Sequence, residues 1–338
     1  MIVGNPVYVR AESLEEALAA WQRYPDARYL AGGTEIHTLA RRSAAYRVGA
    51  LIDLKRIASL AVVEADGGWL KLGATASLSV LADQADWPLL SAVLRGIADR
   101  TVRNRLSLGG NVAGQLPYRE ALLPLLVAGA ELLSVLPSEN GSGLRQRRRG
   151  LDDCFDKRLQ LEAGELVCGF ALPEEAVLPA AAAVQAAMRA APGCKVGTGT
   201  DAEPGADTPV TSASGRWYTG RRTRTGPVDY PLISLCAQRQ AGGCRLATSG
   251  LYPYPWHSAA SDQAFSQAVE ALASVAGASR GTGDLDVKPP ARLHSLAEEV
   301  ARTVAATMPP PRSDSRASGE YRQALLQQLL AEALEALS

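Results

Sequence analysis

Two hydrophobic periods run along the chain. Leu14, Ala17, Leu18 and Trp21 recur at the three-to-four spacing of a helix face, behind Ser13-Leu14-Glu15-Glu16, a capping box. Residues 28–31 read as a strand broken by Gly32-Gly33, Thr34 is placed to cap a helix through Arg42, and residues 48–54 read as a buried strand. Strand, helix and strand predict a small βαβ unit over about the first 60 residues. Residues 61–65 and 69–74 flank the turn Asp66-Gly67-Gly68, a hairpin signal. Ser77 caps a helix through Ala85, Pro88 opens another to Asp99, and residues 121–128 form an apolar helix. Residues 132–136 and 166–172 are further strands, the second stopped by Pro173.

From 174 to 215 the pattern lapses into Ala, Gly, Pro, Thr and Asp, which predicts an insert or linker, helical over 178–190. Strands over 230–237 and 244–251, then helices over 264–275, 293–306 and 317–337, predict a separate α+β domain. The division is therefore 1–173, with subdomains of about 1–60 and 61–173, then 174–215, then 216–338.

Composition narrows the function classes. Lys plus Arg equals Asp plus Glu, so no global field favours nucleic acid or an anionic membrane. Nothing resembles a signal peptide or a membrane span, so a cytoplasmic chain is expected. The five cysteines, Cys154, Cys168, Cys194, Cys236 and Cys244, form no Cys-x-x-Cys pair, and His37, His257 and His294 are scattered. No metal site, iron–sulfur cluster or disulfide framework is expected.

Two glycine loops carry the candidate chemistry. In Leu30-Ala31-Gly32-Gly33-Thr34-Glu35-Ile36 a strand ends on glycines and a helix begins, which suits either an anion or a plain tight turn. Ser107-Leu108-Gly109-Gly110-Asn111, continuing to Gly114, promises consecutive backbone donors like a phosphate nest but lacks the Gly-Lys-Ser/Thr of a triphosphate loop. Two such loops on neighbouring α/β units suit one ligand with two phosphates. Gly197-Thr198-Gly199-Thr200-Asp201-Ala202 follows no strand and reads as linker. Glu35 has two readings, a ligand contact or ordinary dipole compensation. His37 reads as a solvated or core histidine, the Arg145, Arg147, Arg148, Arg149 run as a solvated strand edge ahead of a contact to a partner or anion, and Tyr252 to Trp256 as a rigid aromatic loop, a lining for a cofactor or a subunit interface.

In order, "AGGTEI", "ALIDL", "LKLGATASL", "TVRNRLSLGGNVAG", "PYREALLPLLVAGAEL", "GELVCGFALP", "RTRTGPVDYPLISLCA" and "SDSRASGEYRQALL" resemble the FAD-binding (medium) subunit of the molybdenum hydroxylases, the xanthine dehydrogenase and carbon monoxide dehydrogenase group. The resemblance implies an α+β architecture: a two-subdomain FAD-binding fold of the vanillyl-alcohol oxidase type, followed by a C-terminal α+β domain. It implies FAD contacts at Leu30, Ala31, Gly32, Gly33, Thr34, Glu35, Ile36, Ser107, Gly109, Gly110, Asn111 and Gly114, with Val167 near the flavin ring. Glu120 stands where the family often has Asp at the adenosine end. A lysine usual near the flavin pyrimidine is missing, with Arg216 or Arg221 as substitutes. The resemblance further implies that no residue of this chain is catalytic in its own right. It implies an iron–sulfur subunit and a molybdopterin subunit as partners in a heterotrimer, electron transfer to NAD or another acceptor, and xanthine or a related purine as substrate of the complex. A stand-alone FAD oxidase and a flavin-free structural subunit are the alternatives.

Overall fold

The computed structural model describes residues 5–43, 47–84, 87–138, 143–177, 210–211, 216–226, 228–279 and 289–338. The expected helix over 178–190, Cys194 and the Gly197–Ala202 stretch lie outside them.

The chain opens with β1 (Val7–Arg10), α1 (Leu14–Arg23), β2 (Ala27–Leu30), α2 (Thr34–Arg42) and β3 (Ala50–Asp53), forming a parallel sheet of order β1-β3-β2. The expected βαβ unit is present but gains β1, which escapes the pattern because Val7, Tyr8 and Arg10 are exposed and alternation is lost. Ser13 caps α1 as expected, whereas the Glu16 carboxylate accepts from the Glu12 amide, one residue earlier than a closed capping box requires. Thr34 is the first helical residue of α2; the cap is Gly33, in the left-handed region at φ 73°.

The second sheet is antiparallel, in the order β4 (Val63–Asp66), β5 (Trp69–Gly73), β10 (Leu166–Pro173), β6 (Glu131–Pro137), β7 (Leu144–Gly150). Gly67 and Gly68 both have positive φ, as the two-residue hairpin between β4 and β5 demands. The helices of this unit are α3 (Leu78–Ala82), α4 (Pro88–Arg95), α5 (Arg100–Arg103), α6 (Leu108–Ala113) and α7 (Leu122–Val127). The expected helix from Pro88 to Asp99 stops at Arg95, because Ala98 takes φ 49° and Asp99 caps α5 afresh. Pro173 is the last residue of β10, paired with Trp69. Between β7 and β10 lie α8 (Leu151–Cys154) and the hairpin β8 (Phe155–Asp156) and β9 (Arg158–Leu159); α9 (Glu174–Val177) follows β10. The arginine run lies on the edge strand β7, with Arg145 and Arg147 against Glu162, Arg148 against Glu131 and Arg149 against Glu165.

The third sheet is antiparallel, with β11 (Val210–Thr211), β12 (Trp217–Thr223), β13 (Pro231–Gln240), β14 (Gly243–Ser249) and β15 (Trp256–His257) in sequence order. The helices α10 (Ala259–Ser279), α11 (Pro289–Ala305) and α12 (Gly319–Leu337) pack together, and α10 and α12 rest on this sheet. From Pro231 to Gln238 every residue of β13 is buried, because its other face packs on α7. A strand covered on both sides reads as a near-continuous apolar run, here Pro231 to Ala237 interrupted only by Ser234. Among the described residues no helix is long and apolar enough to cross a membrane.

Candidate functional site

The first glycine loop is built as its sequence suggests. β2 ends at Leu30, Gly33 turns the backbone left-handed, and α2 starts at Thr34. The first intrahelical bond runs from the His37 amide to the Gly33 carbonyl at 3.1 Å. The amides of Thr34, Glu35 and Ile36 therefore have no acceptor within the helix, and no partner for them occurs among the described residues. Three aligned N–H groups at the positive end of a helix dipole attract an anion.

The Ser107–Gly114 loop differs from expectation. Ser107 caps α6 by accepting from the Gly110 amide at 3.2 Å. The Leu108 amide donates to Ala76 O at 3.0 Å, Gly109 to Ala74 O at 2.8 Å and Asn111 to Ser107 O at 2.9 Å. Four consecutive amides are thus committed inside the protein, so this loop is not a nest of free backbone donors. It presents the Ser107 hydroxyl, the Asn111 amide group, whose Oδ1 accepts from the Ala121 amide, and the open face of Gly110. A Cβ on Gly110 would meet only Ser107 Oγ, at 2.7 Å, whereas one on Gly109 would press on Ala74. The two glycines therefore have different reasons, the Ser107 cap hydroxyl for Gly110 and backbone packing for Gly109.

The loops face one another directly. A Cβ on Gly32 would overlap the carbonyl of Arg105, so the first loop rests backbone to backbone on the approach to the second. Glu35 resolves its two readings in a third way. Its carboxylate accepts from the Gln115 amide at 2.5 Å and lies against Gly114, bolting α2 to the far end of the second loop. Arg119 continues the brace, donating to Leu116 O and Lys157 O and lying 5.3 Å from the Phe155 ring centre. Burial lowers the Arg119 pKa to about 10 and the Glu35 carboxylate opposes the drop, so the guanidinium stays charged at neutral pH. Against the second loop runs the segment Ala74–Ala76, where the Thr75 hydroxyl is buried without a partner among the described residues. The Ala74 amide donates to Cys168 O, beside the bulge in β10 that carries Val167. Loop one, loop two, Thr75 and Val167 thus belong to one continuous assembly. His37, by contrast, is exposed.

Sequence reasoning missed the prop beneath the first loop. Asp53 is buried at the end of β3, where Lys55 Nζ reaches it at 2.7 Å and also reaches Ala31 O at 3.3 Å, while the Tyr8 hydroxyl donates to the same carboxylate. Burial pushes the Asp53 pKa up, but hydrogen bonds from Lys55 and Tyr8 outweigh it and hold the carboxyl below its ordinary value. A carboxyl depressed by folding contributes stability that is complete above its unfolded pKa and is lost as pH falls through the folded one. Asp53→Asn is thus expected to destabilise the protein at pH 7 and to flatten the stability curve below about pH 5. Urea midpoints across that range would check this; equal losses at pH 7 and pH 3 would rule out the linkage.

Glu120 and Arg221 lie on the seam with the third sheet. Glu120 Oε1 accepts from Arg221 Nε at 2.9 Å and from the Ser234 hydroxyl at 2.5 Å. Arg221 also donates to Asp229 O at 2.6 Å. Elsewhere on that seam a cleft of about 890 Å³ is lined by Phe155, Lys157, Tyr254 and Trp256 with Asp152 and His257, and shares no residue with the glycine loops. The aromatic loop at 252–256 is tied down by Tyr252, whose hydroxyl donates to Pro309 O. Among the described residues no group of three or more His, Cys, Asp and Glu is placed to hold a metal ion.

The arrangement fits the diphosphate of a flavin nucleotide: three uncapped amides behind a left-handed glycine, a second glycine loop packed beside them, and a buried hydroxyl without a partner among the described residues. Comparison with known proteins agrees. Residues 3–175 match the family described as the FAD binding domain in molybdopterin dehydrogenase. The chain is 31% identical over 152 residues to aldehyde oxidase 2 of Rattus norvegicus, covering 41% of this chain and 11% of that protein. It is 29% identical over 131 residues to a xanthine dehydrogenase FAD-binding subunit of Escherichia coli O157:H7, covering 37% of this chain and 44% of that one. The chain spans less than half the length of these curated relatives. Its fold is similar to a chain of carbon monoxide dehydrogenase from Hydrogenophaga pseudoflava, with a TM-score of 0.70 and 21% identity over 100% of this chain and 98% of that chain. The chain belongs to the family of FAD-binding domains of molybdopterin dehydrogenases, and its cofactor is FAD.

Proposed function

We propose that this chain is the electron-relay subunit of a molybdenum hydroxylase complex, linking an iron–sulfur subunit to NAD or another acceptor. The observation that carries the reading is the uncapped first turn of α2, bolted by Glu35 and Gly32 against a second glycine loop. Residues 1–173 are the FAD-binding domain, 174–215 an insert and 216–338 a C-terminal domain. FAD supplies the redox chemistry, and the protein supplies position and electrostatics. Leu30 to Ile36 hold the diphosphate through backbone amides. Ser107, Gly109, Gly110, Asn111 and Gly114 form the opposite wall, and Val167 packs beside the ring. No side chain here acts as nucleophile or general base. The likeness to xanthine dehydrogenase and aldehyde oxidase proteins supports a cytoplasmic heterotrimer with iron–sulfur and molybdopterin subunits, and a purine such as xanthine as its substrate.

Purification of the tagged chain from its own cells tests this. The expected result is a complex carrying FAD, iron and molybdenum. A flavin-bearing single chain with its own oxidase activity would make it a stand-alone oxidase, and persistent absence of FAD after reconstitution would make it a structural subunit. Gly110→Leu places a branched side chain on the open face of the second loop and is expected to weaken FAD binding by at least about tenfold, roughly 1.4 kcal/mol. Fluorescence titration of the FAD-free protein measures it, and unchanged affinity would remove Gly110 from the site.

A further inference from the structure

We propose that Glu120 is a positioning residue, the anchor of a buried clamp that docks the third sheet on the glycine loops, and that its carboxylate serves Arg221 and Ser234 instead of the cofactor ribose; the flavin arm of the test rests on the FAD reading above. The register of β12 and β13 sets Arg221 directly opposite Ser234, so both side chains leave the same face of the sheet. Both donate to one oxygen, Glu120 Oε1. Arg221 reaches it along Gly96, where a Cβ would stand 3.3 Å from Arg221 Cδ, so the missing side chain leaves room for the arginine stem.

The acceptor is fixed as firmly as the donors. Glu120 lies between Arg119, which spans Leu116 O and Lys157 O, and Ala121, whose amide donates to the Asn111 side chain in the second loop. A displacement of the third sheet therefore bears on the residues that face the first loop. The side chains of Glu120 and Arg221 are only 4% and 13% exposed, whereas Asp152, in the Arg245–Asp152 pair on the same seam, is 44% exposed. Water screens the latter pair but not the former. Other contacts cross the seam, among them the hydrogen bonds of Gln240 to Val127 O and Ser249 to Pro117 O and the approach of Arg312 to Tyr118, but none of these joins two buried charges. A buried charge pair with a second donor contributes register more than affinity, because each partner is costly to bury without the other.

The test uses full-length Glu120→Gln, Arg221→Met, the double variant, Arg221→Lys, and Ser234→Ala as a milder change should the others fold poorly. In FAD-free protein, hydrogen exchange of residues 122–127 and 217–223 is expected to rise at least tenfold in either single variant and no further in the double. Ser234→Ala should move the same amides about threefold, consistent with loss of one hydrogen bond. In FAD-loaded protein, iodide quenching of flavin fluorescence should rise severalfold in the same variants, and Arg221→Lys should restore part of the protection. Multiplying effects in the double, or unchanged exchange in Arg221→Met, would overturn the clamp. So would loss of FAD by Glu120→Gln with exchange unmoved, which would return the carboxylate to the cofactor. If the unaltered chain binds no FAD, the cofactor reading fails while the exchange arm still decides the clamp.

Discussion

Gly32→Ala is expected to yield a protein that purifies without flavin, with affinity for FAD lowered by at least about 100-fold, roughly 2.8 kcal/mol. The added methyl would overlap the carbonyl of Arg105, a backbone group that cannot rotate aside as a side chain would. Relief requires the two loops to part. That would pull the free amides of Thr34, Glu35 and Ile36 away from the second loop and strain the Glu35 contact to Gln115. Overpacking of this kind also costs about 1–3 kcal/mol of stability. Gly67→Ala supplies the control. Gly67 is strained toward any side chain by its φ of 58°, but a Cβ there has nothing within 4 Å, so the change costs about 1 kcal/mol and leaves FAD affinity alone. Absorbance of the purified proteins and calorimetric titration with FAD separate the two. Full flavin content in Gly32→Ala would mean that the loops do not meet as described.

Both loops were legible in the sequence, but only one for the right reason. The loop after β2 combines a strand, two glycines and a helix start, all local features, and its free amides follow from helix geometry. The Ser107–Gly114 loop has the composition of a donor nest, but two of its amides are spent on the Ser107 cap and two on Ala74 O and Ala76 O, acceptors about 30 residues away that no local pattern names. Long-range partners hid the rest as well. Arg221 and Arg222 give β12 the character of a solvated loop, yet they pair with Glu120 and Glu332, more than 100 residues distant. The short strand β1 lacks any alternation, since its pairing with β3 and not its side chains makes it a strand. β13, wedged between α7 and the C-terminal helices, shows the opposite case: burial on both faces wrote itself into the sequence as a near-continuous apolar run, broken by Ser234 alone between Pro231 and Ala237. Resemblance to a family carried Glu120 to the ribose, where neither spacing nor composition could have placed it, and the atoms around its carboxylate point to the third sheet.

Arg322→Met is expected to lower global stability by about 2–4 kcal/mol, the cost of leaving two buried carbonyl acceptors without their donor. Arg322 is fully buried in the first turn of α12, within the segment Ser313 to Leu326 that sequence alone marked as a family feature without a role. Its guanidinium donates to Leu232 O and Gly250 O through Nη1, and to both oxygens of Asp314 at 2.8 and 2.9 Å through Nη2. One side chain thus joins the start of β13, the left-handed turn at Gly250 and the loop that leads into α12. Methionine fills much the same volume, so the loss is electrostatic and not a cavity. It strands two buried carbonyls, whereas the exposed Asp314 carboxylate, which its hydrogen bonds hold below the ordinary range, keeps Arg312 and the amides of Arg316 and Ala317. Lysine would not rescue it, because a point charge cannot serve three acceptors spread around a planar fork. Chemical denaturation of Arg322→Met and Arg322→Lys reads both losses. Near-native midpoints would reduce the segment to a helix cap, the part that Ser318 already fills by accepting from the Tyr321 amide. A large loss in both, with FAD still bound to the folded fraction, would identify Arg322 as the tie that shapes the C-terminal sheet without touching the cofactor.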